Sequence, residues 1–480
     1  MQHFDLSLIT QKLLMRKTKI ICTIGPASNS YDMLKKLAEA GMDIVRLNMS
    51  HGDHESAAKV IKSIQTLNKI ITHPIAVLLD TQGPEIRTGD LATELELKNG
   101  SIISITVRDN VDVESTSIHI NYDDLIDTVS VGDRITVDNG IINFEVLEKK
   151  TDGTMTCKVI DGGILKSKRH VNLPGIRVNL PAITKKDKAD ILFALEHQVD
   201  FIALSFVREA ADIAELKELL GDKIGKIKII AKIEDQSGVK NLEEIIEASD
   251  GIMVARGDLG VEINVAEMPN VQRRIVRLCA EAGKRVIVAT HLLESMIENP
   301  IPTRAEVTDV ANAIYEEVDA VMLSGETTVG KFPVRCVEQL VEIAVITEAI
   351  QGLEFTKNLR ADNDKQSLAI TAVTLAESLT AKGIVVITRR GFMADYVTNC
   401  HPQNTRIFAF TNDSQTRRRL ILNRNVSAFR SAFSKDPEKT LQTAFDLLKK
   451  KAGLVDGDKV VVISDVLAGT GIEAIQIRMV

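Results

Sequence analysis

From Thr18 onward the chain repeats one beat: a short apolar run, a polar break, then a longer stretch with apolar residues three or four positions apart. Eight short runs carry the beat: "TKIICTIG" (18–25), "MDIVRLNMS" (42–50), "IAVLLD" (75–80), "FIALSF" (201–206), "IKIIAKIE" (227–234), "GIMVARGD" (251–258), "RVIVAT" (285–290) and "AVMLSGE" (320–326). Their apolar content is close to continuous, as in parallel strands buried on both faces. Between them lie helical patterns such as "YDMLKKLAEAG" (31–41), which ends on a glycine suited to a helix stop. Eight such units predict an α/β fold, a (β/α)8 TIM barrel, with a doubly wound open sheet as the alternative.

The beat breaks after the third run. Between Thr88 and His170 the stretches "SIISITVRDN", "GDRITVDNG" and "GTMTCKVIDGG" alternate in polarity and end in Asn-Gly or Gly-Gly, which reads as an inserted all-β lid of antiparallel strands. After about Ala344, helix "SLAITAVTLAESL", strands "GIVVIT" and "RIFAFT", helix "DPEKTLQTAFDLLKKKAG" and strand "DKVVVIS" read as an open-sheet α/β domain. The expected division is an N-terminal segment (1–15), a barrel (16–87 and 171–344), a lid (88–170) and a C-terminal α/β, effector-type domain (345–480), with a polar linker near 352–364.

Charge and composition narrow the functional classes. With 480 residues, 44% hydrophobic content and a net charge of −7, the chain predicts several well-packed domains and no electrostatic footprint for nucleic acid or an anionic membrane. The basic run Arg417-Arg418-Arg419 reads as a solvated helix face in preference to a phosphate patch. Five cysteines, Cys22, Cys157, Cys279, Cys336 and Cys400, lack metal-type spacing and fit buried thiols in a reducing compartment. No run reaches transmembrane length and the first fifteen residues lack a signal-type apolar core, so a cytoplasmic enzyme is expected.

In a barrel the chemistry gathers where the strands end. Seven of the eight runs end in polar groups: Arg46 to His51, Asp80-Thr81, Ser205-Phe206, Lys232 and Glu234, Arg256 to Asp258, Thr290-His291, and Ser324 to Glu326. Lys232 and Glu234 are two apart on one strand and therefore share a face. Asp258 ends the next strand and is the natural second carboxylate for a hard divalent cation, which needs only one or two from the protein. A lysine beside such a site suits negative charge developing on a transferring phosphoryl group or an enolate, with Arg46 and Arg87 adding positive charge. Lys232 and Glu234 taken alone also fit a structural ion pair.

At this point a resemblance emerges. "KIIAKIEDQSGVKNLEEIIEASDGIMVARGDLGVEI", "RLNMSHG", "LDTQGPEIRTG", "LESMIENPIPTRAEVTDVANAI" and "VMLSGETTVGKFP" are similar to blocks of the pyruvate kinase family, from about Lys17 to Ala344. The resemblance implies phosphoryl transfer from phosphoenolpyruvate to ADP, giving pyruvate and ATP, with Mg²⁺ (or Mn²⁺) and K⁺ as cofactors, and an allosteric homotetramer. It implies that Arg46, Gly257, Asp258 and Thr290 bind substrate, with Lys232, Arg46 and Thr290 catalytic. Glu234 and Asp258 would hold Mg²⁺; Asn48, Ser50, Asp80 and Thr81 would hold K⁺; and Asn48, Ser50, His51, Arg87 and Arg169 would contact the nucleotide.

Several positions depart from the family's pattern. Arg169 stands where the family usually has lysine, and His291 where glutamine is common; His291 reads as a polar neighbour of the site in preference to a proton donor. Glu85 is expected to leave a negative charge that K⁺ balances, the alternative being that it simply pairs with Arg87 or a lid residue. In the segment "VITRRGFMADY", Thr388 remains of the family's hydroxyl-rich effector loop, while Arg389 and Arg390 suggest an anion site near a helix starting about Gly391. The rival functions are a divalent-metal carbon-carbon lyase acting on pyruvate enolate, which would not need the nucleotide and K⁺ sets, and a regulatory pseudoenzyme, against which Arg46, Lys232, Glu234, Asp258 and Thr290 are all present together.

Overall fold

A computed structural model describes residues 16–107, 117–150, 153–176, 178, 180–464 and 474–480 of the chain. The expected N-terminal segment 1–15 and the end of the lid run at 108–110 lie outside the described residues.

Eight parallel strands, Lys19–Thr23, Ile44–Asn48, Ala76–Asp80, Phe201–Leu204, Lys228–Ile233, Gly251–Ala255, Arg285–Ala289 and Ala320–Leu323, close into a barrel. Each pairs with its sequence neighbours, and the first pairs with the eighth. The expected barrel stands and the open-sheet alternative falls. Alternation along the strands sorts the side chains. Ile20, Cys22, Val45, Val77, Ile202 and Ile229 pack outward in one core with the helices, whereas Ile21, Ile44, Leu78, Ala203, Ile230 and Met253 fill the inside. The helices start and stop where their residues demand it. The helix Tyr31–Ala40 is capped by the Ser30 side chain, which accepts from Met33 N, and ends on Gly41 at φ 123°.

The lid is a six-stranded sheet in the order Val171–Asn172, Arg134–Val137, Ile142–Lys149, Thr154–Asp161, Ile102–Thr106 and Ser117–His119. Asp138, Asn139 and Gly140, all at positive φ, turn the hairpin between Arg134–Val137 and Ile142–Lys149, as the Asn-Gly signal predicts. The three runs named from the sequence lie in antiparallel pairings as expected, and Ser117–His119, a strand that was not expected, adds to Ile102–Thr106 in parallel. Two expectations are corrected. Gly162-Gly163 closes no hairpin: the chain continues into Gly163–Leu165, which pairs with Leu95–Leu97 in a separate two-stranded sheet. The lid also reaches past its expected ends, since Ile86, Val171 and Leu173 belong to its core.

The C-terminal sheet has five strands in the order Val426–Arg430, Arg406–Thr411, Gly383–Ile387, Lys459–Ser464 and Ala474–Met479, the last antiparallel. Its first and last strands were not expected. The boundary expected at 344/345 falls inside the helix Pro333–Thr347. The expected linker is strapped to the barrel, with Leu353 N donating to Tyr315 O and Arg360 N to Glu281 O. One buried cluster runs from the barrel interior into this domain, which therefore covers the end of the barrel where the strands begin.

The run Arg417-Arg418-Arg419 is not a solvated face. Arg417 donates to Thr72 O, Arg418 to the Asp200 carboxylate and Arg419 to Gly225 O, so all three clamp the C-terminal domain to the barrel. Of the five free cysteines, all are buried except the half-buried Cys400. Among the described residues no helix is long and apolar enough to cross a membrane.

Candidate active site

The inward register that fills the barrel with Ile44, Leu78, Ala203 and Ile230 turns polar one step nearer the strand ends. It then presents Arg46, Asp80, Ser205 and Lys232, with Glu234 one further step on. These groups meet. Arg46 Nε lies 2.6 Å from Asp80 Oδ2, and Lys232 Nζ lies 3.1 Å from Asp80 Oδ1 and 3.0 Å from Glu234 Oε1. Lys232 also donates to Ser205 Oγ at 2.7 Å, and Arg46 Nη1 to Thr23 Oγ1 at 2.9 Å. Glu234 Oε2 accepts from Phe206 N at 2.7 Å.

Above this layer lies a cavity of about 310 Å³ between barrel and lid. The barrel side contributes Arg46, Asn48, Ser50, His51, Glu85, Arg87, Lys232, Glu234 and Asp258, and the lid contributes Asp138, Asn139, Lys168, Arg169 and His170. Two contacts tie the lid down: His170 Nδ1 lies 3.7 Å from Asp258 Oδ1, and Asn172 Nδ2 donates to Glu262 Oε1 at 2.8 Å.

Charge in this water-poor layer is unevenly tolerated. Burial opposes the ammonium of Lys232, yet Asp80 and Glu234 hold it well above its ordinary range, so it stays protonated. Burial also works against Asp80, but Lys232 and Arg46 outweigh it and keep this carboxyl below its usual range. Glu234 and Asp258 are different. Burial pushes both carboxyls up in spite of Lys232, and the charge on Asp258 adds to the rise at Glu234. Buried Glu234 and half-buried Asp258, two carboxylates that resist sharing negative charge, fit a divalent cation, which relieves both penalties at once. Among the described residues no group of three or more His, Cys, Asp or Glu is placed to hold a metal ion.

The other expected residues divide. Thr290, at φ 69°, accepts from Gly257 N at 2.8 Å and donates to Ala289 O at 2.6 Å, so it stands at the start of the helix Arg256–Glu262 that carries Asp258. His291 is exposed, and a Cβ on Gly257 would approach its ring at 3.8 Å. Asn48 and Ser50 line the cavity, but Asp80 and Thr81 lie buried beneath it. The oxygens of Asp80 are engaged by Arg46 and Lys232, and Thr81 O accepts from Ser205 Oγ at 2.7 Å. Glu85 does not carry an unbalanced charge: Arg87 Nε sits 2.7 Å from its carboxylate, and Gln82 donates at 3.2 Å.

Arg169 lies 3.5 Å from Asp138 and keeps a buried Nε with no partner, a donor held ready for an anion. Thr388 is buried and accepts from Gly391 N, the helix Phe392–Asn399 follows, and the Arg390 guanidinium lies 5.3 Å from the Phe392 ring. The sequence reading missed His170, Lys168, Asp138 and Asn139. The Asn-Gly turn signalled a hairpin but carried no sign that its tip faces the barrel.

Comparison with known proteins agrees with this geometry. Residues 15–337 match the family model described as pyruvate kinase, barrel domain, and residues 366–476 match pyruvate kinase, alpha/beta domain. The chain is 44% identical to plastidial pyruvate kinase 2 of Arabidopsis thaliana over 93% of its own length and 78% of that protein. It is also 44% identical to pyruvate kinase of Geobacillus stearothermophilus over 95% and 78%, and 41% identical to that of Staphylococcus aureus over 95% and 78%.

Proposed function

The chain belongs to the pyruvate kinase family and is a phosphotransferase, and on that premise we propose that it moves the phosphoryl group of phosphoenolpyruvate to ADP with the residues of this cavity. The observation that carries the reading is the Lys232 ammonium, fixed between Asp80 and Glu234 at 3.0–3.1 Å and facing a cavity walled by Arg46, Arg87 and Arg169. That arrangement is prepared for negative charge before any arrives.

Arg46, braced by Asp80 and Thr23, anchors the substrate phosphate. Lys232 stabilises the charge on the phosphoryl group as its bond to the enol oxygen breaks and a bond to the terminal phosphate oxygen of ADP forms. Asn48, Ser50, His51, Arg87 and Arg169 receive the nucleotide. Thr290, hydrogen-bonded to Gly257 N, stands where the enolate carbon takes up its proton to become pyruvate. Glu234 and Asp258 would hold Mg²⁺ or Mn²⁺, which supplies charge neutralisation for the phosphate and enolate oxygens. The lid, through Arg169 and His170, excludes water from the transfer.

The K⁺ requirement is part of this proposal and rests on the oxygen donors of Asn48, Ser50, Asp80 and Thr81. The Glu85–Arg87 pair removes the charge-balance argument for it, and two of the four donors are already engaged, Asp80 by Arg46 and Lys232 and the Thr81 carbonyl by Ser205. The family resemblance alone supports the homotetramer and the allosteric control, and the cytoplasmic compartment rests on the sequence reading alone.

The test is pyruvate release from phosphoenolpyruvate with and without ADP, in Mg²⁺ or chelator, and in K⁺ or Na⁺. Release that needs both ADP and divalent metal supports the reading. Release without ADP means that water takes the phosphoryl group and removes the transfer to ADP from the reading, and no release under any condition is the outcome expected of the lyase or of the pseudoenzyme. Full rates in Na⁺ would remove K⁺ from the proposal.

A further inference from the structure

Back to back with the catalytic cavity, between lid and barrel, lies a second cavity of about 380 Å³. The two share only His170 and Phe206, whose rings stand 6.0 Å apart and form the wall between them. Its floor is apolar, made of Ile86, Leu173, Ile176, Val178, Leu180 and Phe206. The polar side offers acceptors. Asn172, on the lid strand Val171–Asn172, is 4% exposed and donates through Nδ2 to Glu262 Oε1 at 2.8 Å. That bond fixes which way the amide faces and leaves Oδ1 buried without a partner. Glu262 ends the helix Arg256–Glu262, and its second oxygen accepts nothing among the described residues. Asp235 caps the helix Gln236–Lys240 by accepting from Gly238 N at 2.7 Å.

The nearby cations do not answer these acceptors. Arg208 is spent on the carbonyls of Val178 and Leu180, at 2.9 and 2.6 Å, and Lys240 is exposed at the rim and makes no ion pair among the described residues. Burial, with the charges of Asp235 and Asp258, pushes the Glu262 carboxyl from 4.5 up to about 7 against the Asn172 donor. No cation offsets that rise.

We propose that this cavity binds a small primary amine in its protonated form, the ammonium held by Asn172 Oδ1, Glu262 and Asp235 and the hydrocarbon body lying on the apolar floor. An amide oxygen without a donor calls for N–H or O–H, and a carboxylate without a cation calls for positive charge; an ammonium brings both in one compact head with three donors. A hydroxyl would answer Asn172 alone, and a bare metal ion would leave the floor unused. The volume suits one ring or a chain of similar bulk.

The amine ties lid to barrel. Asn172 pairs with Thr136 in the lid sheet, Glu262 lies on the helix that carries Asp258, and Asp235 directly follows Glu234. One ligand thus touches the lid on one side and both carboxylate-bearing elements of the catalytic layer on the other. Its occupancy raises the cost of lifting the lid.

The test is calorimetric titration of the full-length protein in saturating Mg²⁺ and K⁺, at about pH 8, where the amine is charged and Glu262 is ionised. The probes are benzylamine, its neutral counterpart benzyl alcohol, and methylamine, and hydrogen exchange then follows on the bound form. We expect saturable benzylamine binding, with benzyl alcohol and methylamine each weaker by about tenfold or more, and slowed exchange concentrated at 134–137, 171–173 and 235–240. Glu262→Gln keeps an acceptor for Asn172, and Asp235→Asn keeps an acceptor for the helix cap, so each removes charge with little change of shape. Both should weaken benzylamine by about tenfold or more. Absence of saturable benzylamine binding at millimolar concentration overturns the proposal. So does benzyl alcohol binding as tightly, which would leave the carboxylates without a role, or methylamine binding as tightly, which would leave the floor without one. Binding that survives both variants, or protection confined to other stretches, places the amine elsewhere and has the same consequence.

Discussion

Replacing Lys232 by methionine keeps an unbranched side chain, one atom shorter, and removes its charge. In the folded protein Nζ is the shared partner of Asp80 at 3.1 Å, Glu234 at 3.0 Å and Ser205 at 2.7 Å. Two effects follow and can be measured separately. The transfer step loses a full positive charge aimed at the migrating phosphoryl group; removing even one neutral donor from such a site costs ~10²–10³ in turnover, so a loss of at least about 10³-fold is expected. By the same arithmetic that is roughly 4 kcal/mol of barrier. The resting protein loses the cation that compensates a buried carboxylate pair, worth about 3 kcal/mol or more in stability. Glu234 and Asp258, which Lys232 holds down, should titrate still higher in the metal-free variant. Divalent-ion binding should consequently become more steeply dependent on pH, while its stoichiometry is retained. ADP-dependent pyruvate release reads the first effect, urea unfolding the second, and Mn²⁺ binding by paramagnetic resonance the third. Turnover within tenfold of wild type, in a variant that still binds one Mn²⁺, would refute the assignment of Lys232 to the transition state.

Two further substitutions probe the seams. Arg418→Ala strips the partner from Asp200, which is wholly buried and already pushed up by burial; a loss of about 3 kcal/mol in urea unfolding is expected, growing as pH rises above the ordinary carboxylate range. Glu262→Gln keeps an acceptor for Asn172 but removes a carboxyl that burial pushes from 4.5 up to about 7. A raised acid favours the neutral form in the fold, so wild-type stability falls as pH rises between those values; the variant should be more stable by up to roughly 3 kcal/mol at pH 8, with the advantage vanishing by pH 4. Equal unfolding midpoints for the two proteins at pH 8 would contradict that sign.

The barrel is legible because a strand buried on both faces must be apolar along its whole length, and eight such runs leave few other architectures. Lys232 and Glu234 are legible for a related reason, since strict alternation fixes their common face whatever surrounds them. Arg417, Arg418 and Arg419 are not. Their partners Thr72, Asp200 and Gly225 lie 345, 218 and 194 positions away, and nothing local distinguishes a solvated arginine from one that meets a carbonyl across a seam. At Glu85 separation is no obstacle, since its partner Arg87 is only two residues on; the pairing is one of two sequence readings, and the choice between them depends on how the chain turns into the lid. The edge strand Ala474–Met479 escaped because "AIQIRM" alternates on a half-exposed sheet margin and lacks the unbroken apolar run of the others.

The pairing of the first barrel strand with the eighth bears on synthesis. Thr23 Oγ1 donates to Leu323 O, a partner 300 positions later in the chain. A ribosome adding about 5–20 residues per second needs roughly 15–60 s to cover that distance, and until then one edge of Lys19–Thr23, apolar at Ile20, Ile21 and Cys22, waits without its neighbour. The lid closes mostly on nearby sequence and can assemble during that interval, while the barrel remains an open sheet that invites the wrong strand. Nascent chains stalled before residue 320 should therefore bind chaperones that recognise exposed strand edges, and chains released after residue 323 should lose them.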